Sequence, residues 1–252
     1  MRAFIKSIFL PFYYSGWYVY LRVMNFIYRS KITNYKEIPI IINNRNRLTF
    51  LLDLITALED RGYYNIFIID NKSDYEPLLS FYKDCKYKVF RLDDNVGFLS
   101  LWKTDIYKQF QKDYFVYTDS DVVPVKECPE NFLETFLHVM KKDHSLMKIG
   151  LSLKIDDLPD WFDKKKEVIA WEKQYHNDAE IPGYYRANVD TTFALYRPFM
   201  SSGASRLKMY RSKFPLAAYH MPWYINSENL TKEELYYINS ARTTTHWTKV
   251  SK

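Results

Sequence analysis

The feature that most limits how this chain can fold is a series of four apolar runs, each closed by polar residues. IPIIINN begins at Ile38, NIFIIDN at Asn65, YKVFRL at Tyr87 and YFVYTDSD at Tyr114. Unbroken runs rich in Ile, Val and Phe suit strands covered on both faces. Between the first two runs, Leu48, Leu51, Leu52, Ile55 and Leu58 recur at helical spacing, with Asn46 as the expected N-cap and Gly62 as the stop. Tyr75 to Tyr82 and Gly97 to Gln111 are the next expected helices. Strand and helix alternate, which predicts an α/β fold: a mostly parallel central sheet with helices on both faces. Ligands on such sheets sit at the carboxyl ends of the strands. The polar clusters fall there: Asn43-Asn44-Arg45, Asp70-Asn71, Asn95 and Asp119-Ser120-Asp121.

The second half is less regular. Asn131 to Lys142 reads as a helix, Met147 to Ile155 as a strand, and Asp160 to Tyr175 as a charged helix. YYRA, TTFALYR and AAYHMPWY follow as short strand-like pieces. No repeat and no linker divides the chain, so residues 37–252 are expected to form one domain, preceded by an arm at 1–36. The arm is apolar and aromatic, punctuated by Arg2, Lys6, Arg22, Arg29 and Lys31. Its uncharged run, Ser7 to Leu21, falls short of the roughly 20 residues that span a bilayer. Two readings stand for it: a helical or aromatic segment at a membrane surface, or a helix packed on protein.

The net charge of +6 turns attention to anionic partners. Lysines are scattered and no nucleic-acid-binding signature occurs, which excludes nucleic acid and favours lipid or a phosphorylated ligand. Cys85 and Cys128 have no metal spacing and read as reduced thiols in a cytoplasmic setting, with peripheral attachment at the inner face of a membrane as a further expectation.

Asp119 and Asp121 stand two apart at the end of the fourth strand. Two carboxylates on one side of a strand end can hold a hard cation and the phosphate oxygens bound to it, and Mg2+ or Mn2+ suits such ligands. A solvated turn is the bland alternative. The same letters open haloacid-dehalogenase-like phosphatases, but there the motif follows the first strand, and here three strands precede it. At the first strand end, Asn43, Asn44 and Arg45 offer amide and guanidinium donors to a nucleotide or its phosphates. Asp70 can accept from a base or ribose, with Asn71 beside it. Gly97, two residues after Asn95, lets a backbone approach a ligand.

The ordered set IPIIINNRNR, IFIIDNKS, RLDDNVGF and YFVYTDSDVVP resembles the nucleotide-sugar-binding half of GT-A glycosyltransferases, particularly those similar to glycosyltransferase family 2. The resemblance covers Ile38 to Pro124 well and runs more loosely to Tyr224. It implies a Rossmann-like GT-A domain with a nucleotide-sugar half at 37–124 and an acceptor half at 125–252. It places Asp70 near the base, Asn95 and Gly97 beside the ribose, and Asp119, Ser120 and Asp121 at the diphosphate as a D-x-D motif, with Asp121 and Asp119 as metal ligands. H-x-P-W-Y resembles a C-terminal segment that returns to the metal, which implicates His220, with His246 as a weaker candidate. Inverting enzymes of this type use a carboxylate base, for which Asp190 is the first choice and Asp156 and Asp157 the runners-up. The Glu-Asp and Gln-x-x-Arg-Trp patterns usual in the family are missing.

The implied activity is transfer of a sugar, with inversion, from a nucleoside-diphosphate sugar (UDP first) to a carbohydrate or lipid-linked acceptor, in surface polysaccharide or glycoconjugate synthesis with Mn2+ or Mg2+. A non-catalytic, membrane-associated scaffold with the same fold is the alternative. A nucleotidyltransferase would want glycine after the first strand, and NNRNRLTF has none.

Overall fold

The computed structural model describes residues 2–176, 181–189, 193–201 and 207–240. In chain order, its elements begin with helix α1 (Arg2–Ile27), strand β1 (Ile40–Asn44), helix α2 (Thr49–Glu59), β2 (Ile66–Asp70), α3 (Glu76–Asp84) and β3 (Lys88–Arg91). Then come α4 (Tyr107–Phe110), β4 (Phe115–Asp119), β5 (Val122–Pro124), α5 (Phe132–Lys142), β6 (Leu146–Gly150) and β7 (Ser152–Leu153). The last are α6 (Lys165–Lys173), β8 (Tyr184–Arg186), β9 (Ala194–Tyr196), β10 (Lys208–Ser212), β11 (Ala217–His220) and α7 (Lys232–Ser240).

Eight strands form one sheet in the order β3-β2-β1-β4-β9-β6-β10-β8, and β5-β11-β7 form a smaller one. The first four strands of the large sheet run parallel, as the alternation of strand and helix predicts. β9 lies antiparallel to both β4 and β6, so the sheet is mixed beyond its parallel first half. Side chains alternate across the sheet. Ile40, Ile42, Ile66, Ile68 and Val116 face a core shared with α2 and α5, while Ile41, Ile69, Phe115 and Tyr117 face a second core. The second core is closed by α1, whose Leu21 is fully buried with Tyr14, Trp17, Tyr18 and Met24 packed around it.

Four local expectations change. The segment 97–111 is helical only at α4. Asn71 grips both ends of Val96–Gly97, and Trp102 Nε1 and Tyr107 OH both donate to Met200 O, so long-range contacts fold the approach to α4 into tight turns. The strand expected at Met147 to Ile155 splits between the two sheets. At the break, Leu151 N donates to Phe193 O, and a Cβ on Gly150 would lie 2.5 Å from Val189 Cγ1, so the backbone needs glycine there. The charged helix begins only at Lys165, because Pro159 to Phe162 turn and Lys165 reaches back to Asp160 at 2.7 Å. Strand β10 has no counterpart among the expected elements.

Among the described residues, no helix is long and apolar enough to cross a membrane. The outer face of α1 nevertheless exposes Tyr13, Val19, Tyr20, Val23, Phe26 and Ile27.

Candidate active site

The parallel register brings the polar strand ends to one edge of the sheet. Asn43 pairs with Asp119, Asn44 with Asp70, and Asp70 with Arg91. Asn43 Nδ2 donates to Asp119 Oδ1 at 3.0 Å, while Asn43 Oδ1 accepts from Ser100 Oγ at 2.8 Å. Ser100 Oγ lies 3.1 Å from the hydroxyl of Tyr117, which donates to Phe98 O. Burial, and then the charge of Asp119, push the Tyr117 phenol far up, so it stays a neutral donor. This chain of contacts fixes the orientation of the Asp119 carboxylate. Ser120 is buried behind it, its amide donating to Asn43 O.

Asp70 is fully buried, and both of its oxygens are engaged: Oδ1 accepts from Ser73 N and Oδ2 from Arg91 Nε, each at 3.1 Å. Asn44 donates to Tyr82 OH at 2.9 Å. Asn71 accepts from Val96 N at 2.8 Å and donates to Gly97 O at 2.9 Å. Asn95 accepts from Gly97 N at 3.0 Å. Gly97 has φ of +81°, a conformation glycine adopts without strain. The Asn71–Asn95–Gly97 loop is therefore braced against the end of β2.

Asp121 sits where β4 passes into β5. β5 pairs antiparallel with β11, matching Val122 with His220, and Met221 N donates to Asp121 O at 2.9 Å. That pairing brings His220 Nε2 to 3.9 Å from Asp121 Oδ2, with both side chains partly open to solvent. The His220 ring rests against Trp223, centroids 4.6 Å apart. Among the described residues no three His, Cys, Asp or Glu side chains gather around one point. In that pair the carboxylate suits Mn2+ or Mg2+ and the imidazole is acceptable to Mn2+, and these ions commonly complete their shells with water and substrate phosphates. Asn43 holds one oxygen of Asp119, Oδ1.

Asp190 and His246 lie outside the described residues. Asp156 and Asp157 both meet Lys154 Nζ, at 2.7 and 3.5 Å. The hydrogen bond from Lys154 holds the Asp156 carboxyl below its ordinary range, which weakens it as a base.

Sequence reading missed α7. This helix folds back over the loop after β1. Glu233 accepts from Leu48 N at 2.9 Å, from Thr49 N at 3.0 Å and from Thr49 Oγ1 at 2.9 Å, so it caps α2 from the far end of the chain. Asn46, the expected cap, has φ of +52° and instead braces the loop after β2 through Asp74 and Tyr75. Glu234 forms a buried ion pair with Arg47, whose guanidinium also lies 3.7 Å from the centre of the Tyr237 ring. Arg45 donates to Ser240 O at 3.1 Å. Burial pulls the Arg47 guanidinium down from its ordinary value, while Tyr237, Asp121 and Glu233 push it back up. Burial pushes the Tyr237 phenol up; Arg47 opposes this, and Asp121 and Asp119 add to it. α7 thus sits within electrostatic reach of both aspartates. A signal for it was present: Thr231-Lys232-Glu233-Glu234 is a T-x-x-E capping pattern, and Glu234 N does donate to Thr231 Oγ1.

The sequence model described as glycosyl transferase family 2 matches residues 40–198, more than half of the chain. The chain belongs to glycosyl transferase family 2. The matched region of this family member runs from the start of β1 to just past β9, so it contains Asn43, Asp70, Asp119 and Asp121 but not His220 or α7. Among solved structures, the family member is similar to the 1–349 fragment of S. aureus TarS, with 12% identity and a TM-score of 0.45 over 82% of this chain and 66% of that one. It is also similar to GalNAc-T7 in a structure with UDP, GalNAc and Mn2+, with 16% identity and a TM-score of 0.47 over 72% of this chain and 43% of that one. The chain therefore spans less than two thirds of the length of these relatives. No curated protein sequence matches it.

Proposed function

We propose that this family member transfers a sugar from a nucleoside-diphosphate sugar to an acceptor hydroxyl, and that Asp121 and His220 hold the divalent cation used in the transfer. The convergence of these two side chains, at the sheet edge that also carries Asn43, Asp70 and Asp119, carries the reading. When bound, Mn2+ or Mg2+ would supply Lewis-acid neutralisation of the leaving diphosphate. Asn95 and Gly97 face the nucleoside side, braced from behind by the buried Asp70 and Asn71. Asn43, Asn44 and Ser120 hold the strand ends that face the donor, with Asp119 fixed by Asn43 to meet it. Arg45 adds positive charge beside the diphosphate. Asp190 takes the acceptor proton and the anomeric carbon is inverted, a reading that the family resemblance supports. UDP is the first nucleotide to test, with a carbohydrate or lipid-linked acceptor in polysaccharide or glycoconjugate synthesis.

The test is calorimetry with UDP in the presence and absence of Mn2+, alongside a panel of UDP-sugars scored for donor hydrolysis. Mn2+-dependent UDP binding that is lost in Asp121→Asn supports the reading. Mn2+-independent binding, or none, leaves a non-catalytic scaffold.

The outer face of α1 supports peripheral attachment to an anionic bilayer. It exposes Val19, Val23, Phe26 and Ile27 beside Arg22 and Arg29, and residues 1–36 contain no Asp or Glu. A second copy docked there would bring Arg22 and Arg29 against their own kind, whereas anionic headgroups complement them.

A further inference from the structure

A cavity of about 460 Å³ opens on β7, the edge strand of the small sheet. Its walls are unlike those of the strand-end site. Lys154, Lys165, Lys173 and Lys213 line it, and no arginine does among the described residues. Lys154 is paired with Asp156, and Lys165 with Asp160. Lys173 and Lys213 meet no carboxylate among the described residues, so the cavity carries uncompensated positive charge. Aromatic surfaces accompany that charge. Lys213 Nζ lies 4.4 Å from the centre of the Tyr185 ring, and Lys154 Nζ lies 5.4 Å from that of Phe214. His176 stacks on Tyr185 with centroids 4.9 Å apart and planes at 18°.

His176 adds a second, independent mark. Its Nε2 is buried in the wall and makes no hydrogen bond among the described residues. Burial, then the charges of Arg211 and Lys213, hold the ring below its ordinary pKa, so it is neutral and has an unused polar atom. A buried polar atom without a partner is costly, and a ligand that reaches it removes the cost.

The cavity also lies in register with the reaction. Ala217, on its wall, is three residues before His220 on β11, about 10 Å along the strand at roughly 3.3 Å per residue. We propose that this cavity binds a phosphate group carried by the acceptor, with a sugar ring resting on the Tyr185 or Phe214 face. The inference rests on reading the chain as a transferase whose acceptor half begins after Pro124. Lysine ammonium groups meet phosphate as point charges, and several of them around one cavity suit the nearly double charge of a phosphate monoester better than the single charge of a carboxylate. Phosphate is therefore the anion, and an uncharged sugar is not a sufficient ligand.

Calorimetry on the full chain tests this, with glucose 6-phosphate, glucose and inorganic phosphate as probes, in EDTA so that no cation draws phosphate to Asp121. Glucose 6-phosphate should bind wild type and Asp121→Asn equally, more weakly as salt rises, and glucose should not bind. The Lys173→Gln/Lys213→Gln double variant should lose at least tenfold in affinity, and the exposed Lys173→Gln change alone should move in the same direction with an unchanged circular dichroism spectrum. Undiminished binding in the double variant, equal binding of glucose, or no binding by wild type overturns the proposal. Binding lost in Asp121→Asn instead would assign the phosphate to the donor site and overturn it too. Transfer activity retained by Asp121→Asn would sink the catalytic reading alone and leave the cavity's ligand standing.

Discussion

Arg47 and Glu234 form an ion pair with side chains only 4% and 7% exposed, across a sequence separation of 187 residues. Removing one partner of such a pair strands a buried charge. Glu234→Ala should therefore cost about 3–5 kcal/mol, while Arg47→Met/Glu234→Leu should recover most of it, because burial of a pair already costs desolvation. Urea unfolding of both variants reads this directly. Equal losses in the single and double variants would mean that α7 is held by its other contacts.

Asp121 and His220 carry the catalytic proposal, and both are partly exposed. Asp121→Asn and His220→Ala should each lower Mn2+-dependent transfer by on the order of 10²–10³-fold. Asp121→Asn should leave stability within about 0.5 kcal/mol, while His220→Ala also removes the ring that rests on Trp223 and should cost about 1 kcal/mol. The Mn2+ concentration at half-maximal rate should rise in His220→Ala. Full activity in either variant removes that residue from the site.

Asp143 gives a pH signature. Burial alone would raise its pKa, but hydrogen bonds from Ser145 and Lys208 outweigh burial and hold the carboxyl below 3.8. A depressed folded pKa contributes stability that is present above the unfolded value and is lost as pH falls through the folded one. Wild type should thus be more stable than Asp143→Asn at pH 7, and the gap should close as pH falls below about 4. Urea midpoints at pH 7, 5 and 3 follow it. A gap that stays constant with pH would assign the effect to packing.

The outer face of α1 gives the fourth expectation. The chain should sediment with phosphatidylglycerol vesicles but not with phosphatidylcholine vesicles, and salt should reverse the binding. Val23→Asp/Phe26→Asp should abolish it, since both side chains are exposed and contribute little to the fold. Binding by the double variant, or a dimer that this variant dissolves, would rule out lipid as the occupant.

The donor side of the molecule was legible because β1, β2 and β4 are consecutive apolar runs, and parallel pairing sets their polar ends side by side. Once Ile40 is matched to Ile66 and Val116, Asn43 must fall beside Asp119 and Asn44 beside Asp70. The approach of His220 to Asp121 was readable only through resemblance, since it depends on β11 pairing with β5, two short strands far apart in sequence. β10 escaped because KMYRS carries two basic residues, and Arg211 is nevertheless buried, paired with Glu172. Glu233 and Glu234 escaped with the rest of α7. Their burial makes sense only with the α2 amides and Arg47 in view, and nothing in the local sequence encodes that meeting.

The cap that Glu233 places on α2 has a consequence for biosynthesis. A nascent chain that has emerged only as far as β11 can already pair β1, β2 and β4, yet the amides of Leu48 and Thr49 still lack their carboxylate. Contacts this distant in sequence form late. The loop after β1 is thus capped only once α7, 185 residues further along the chain, has been made.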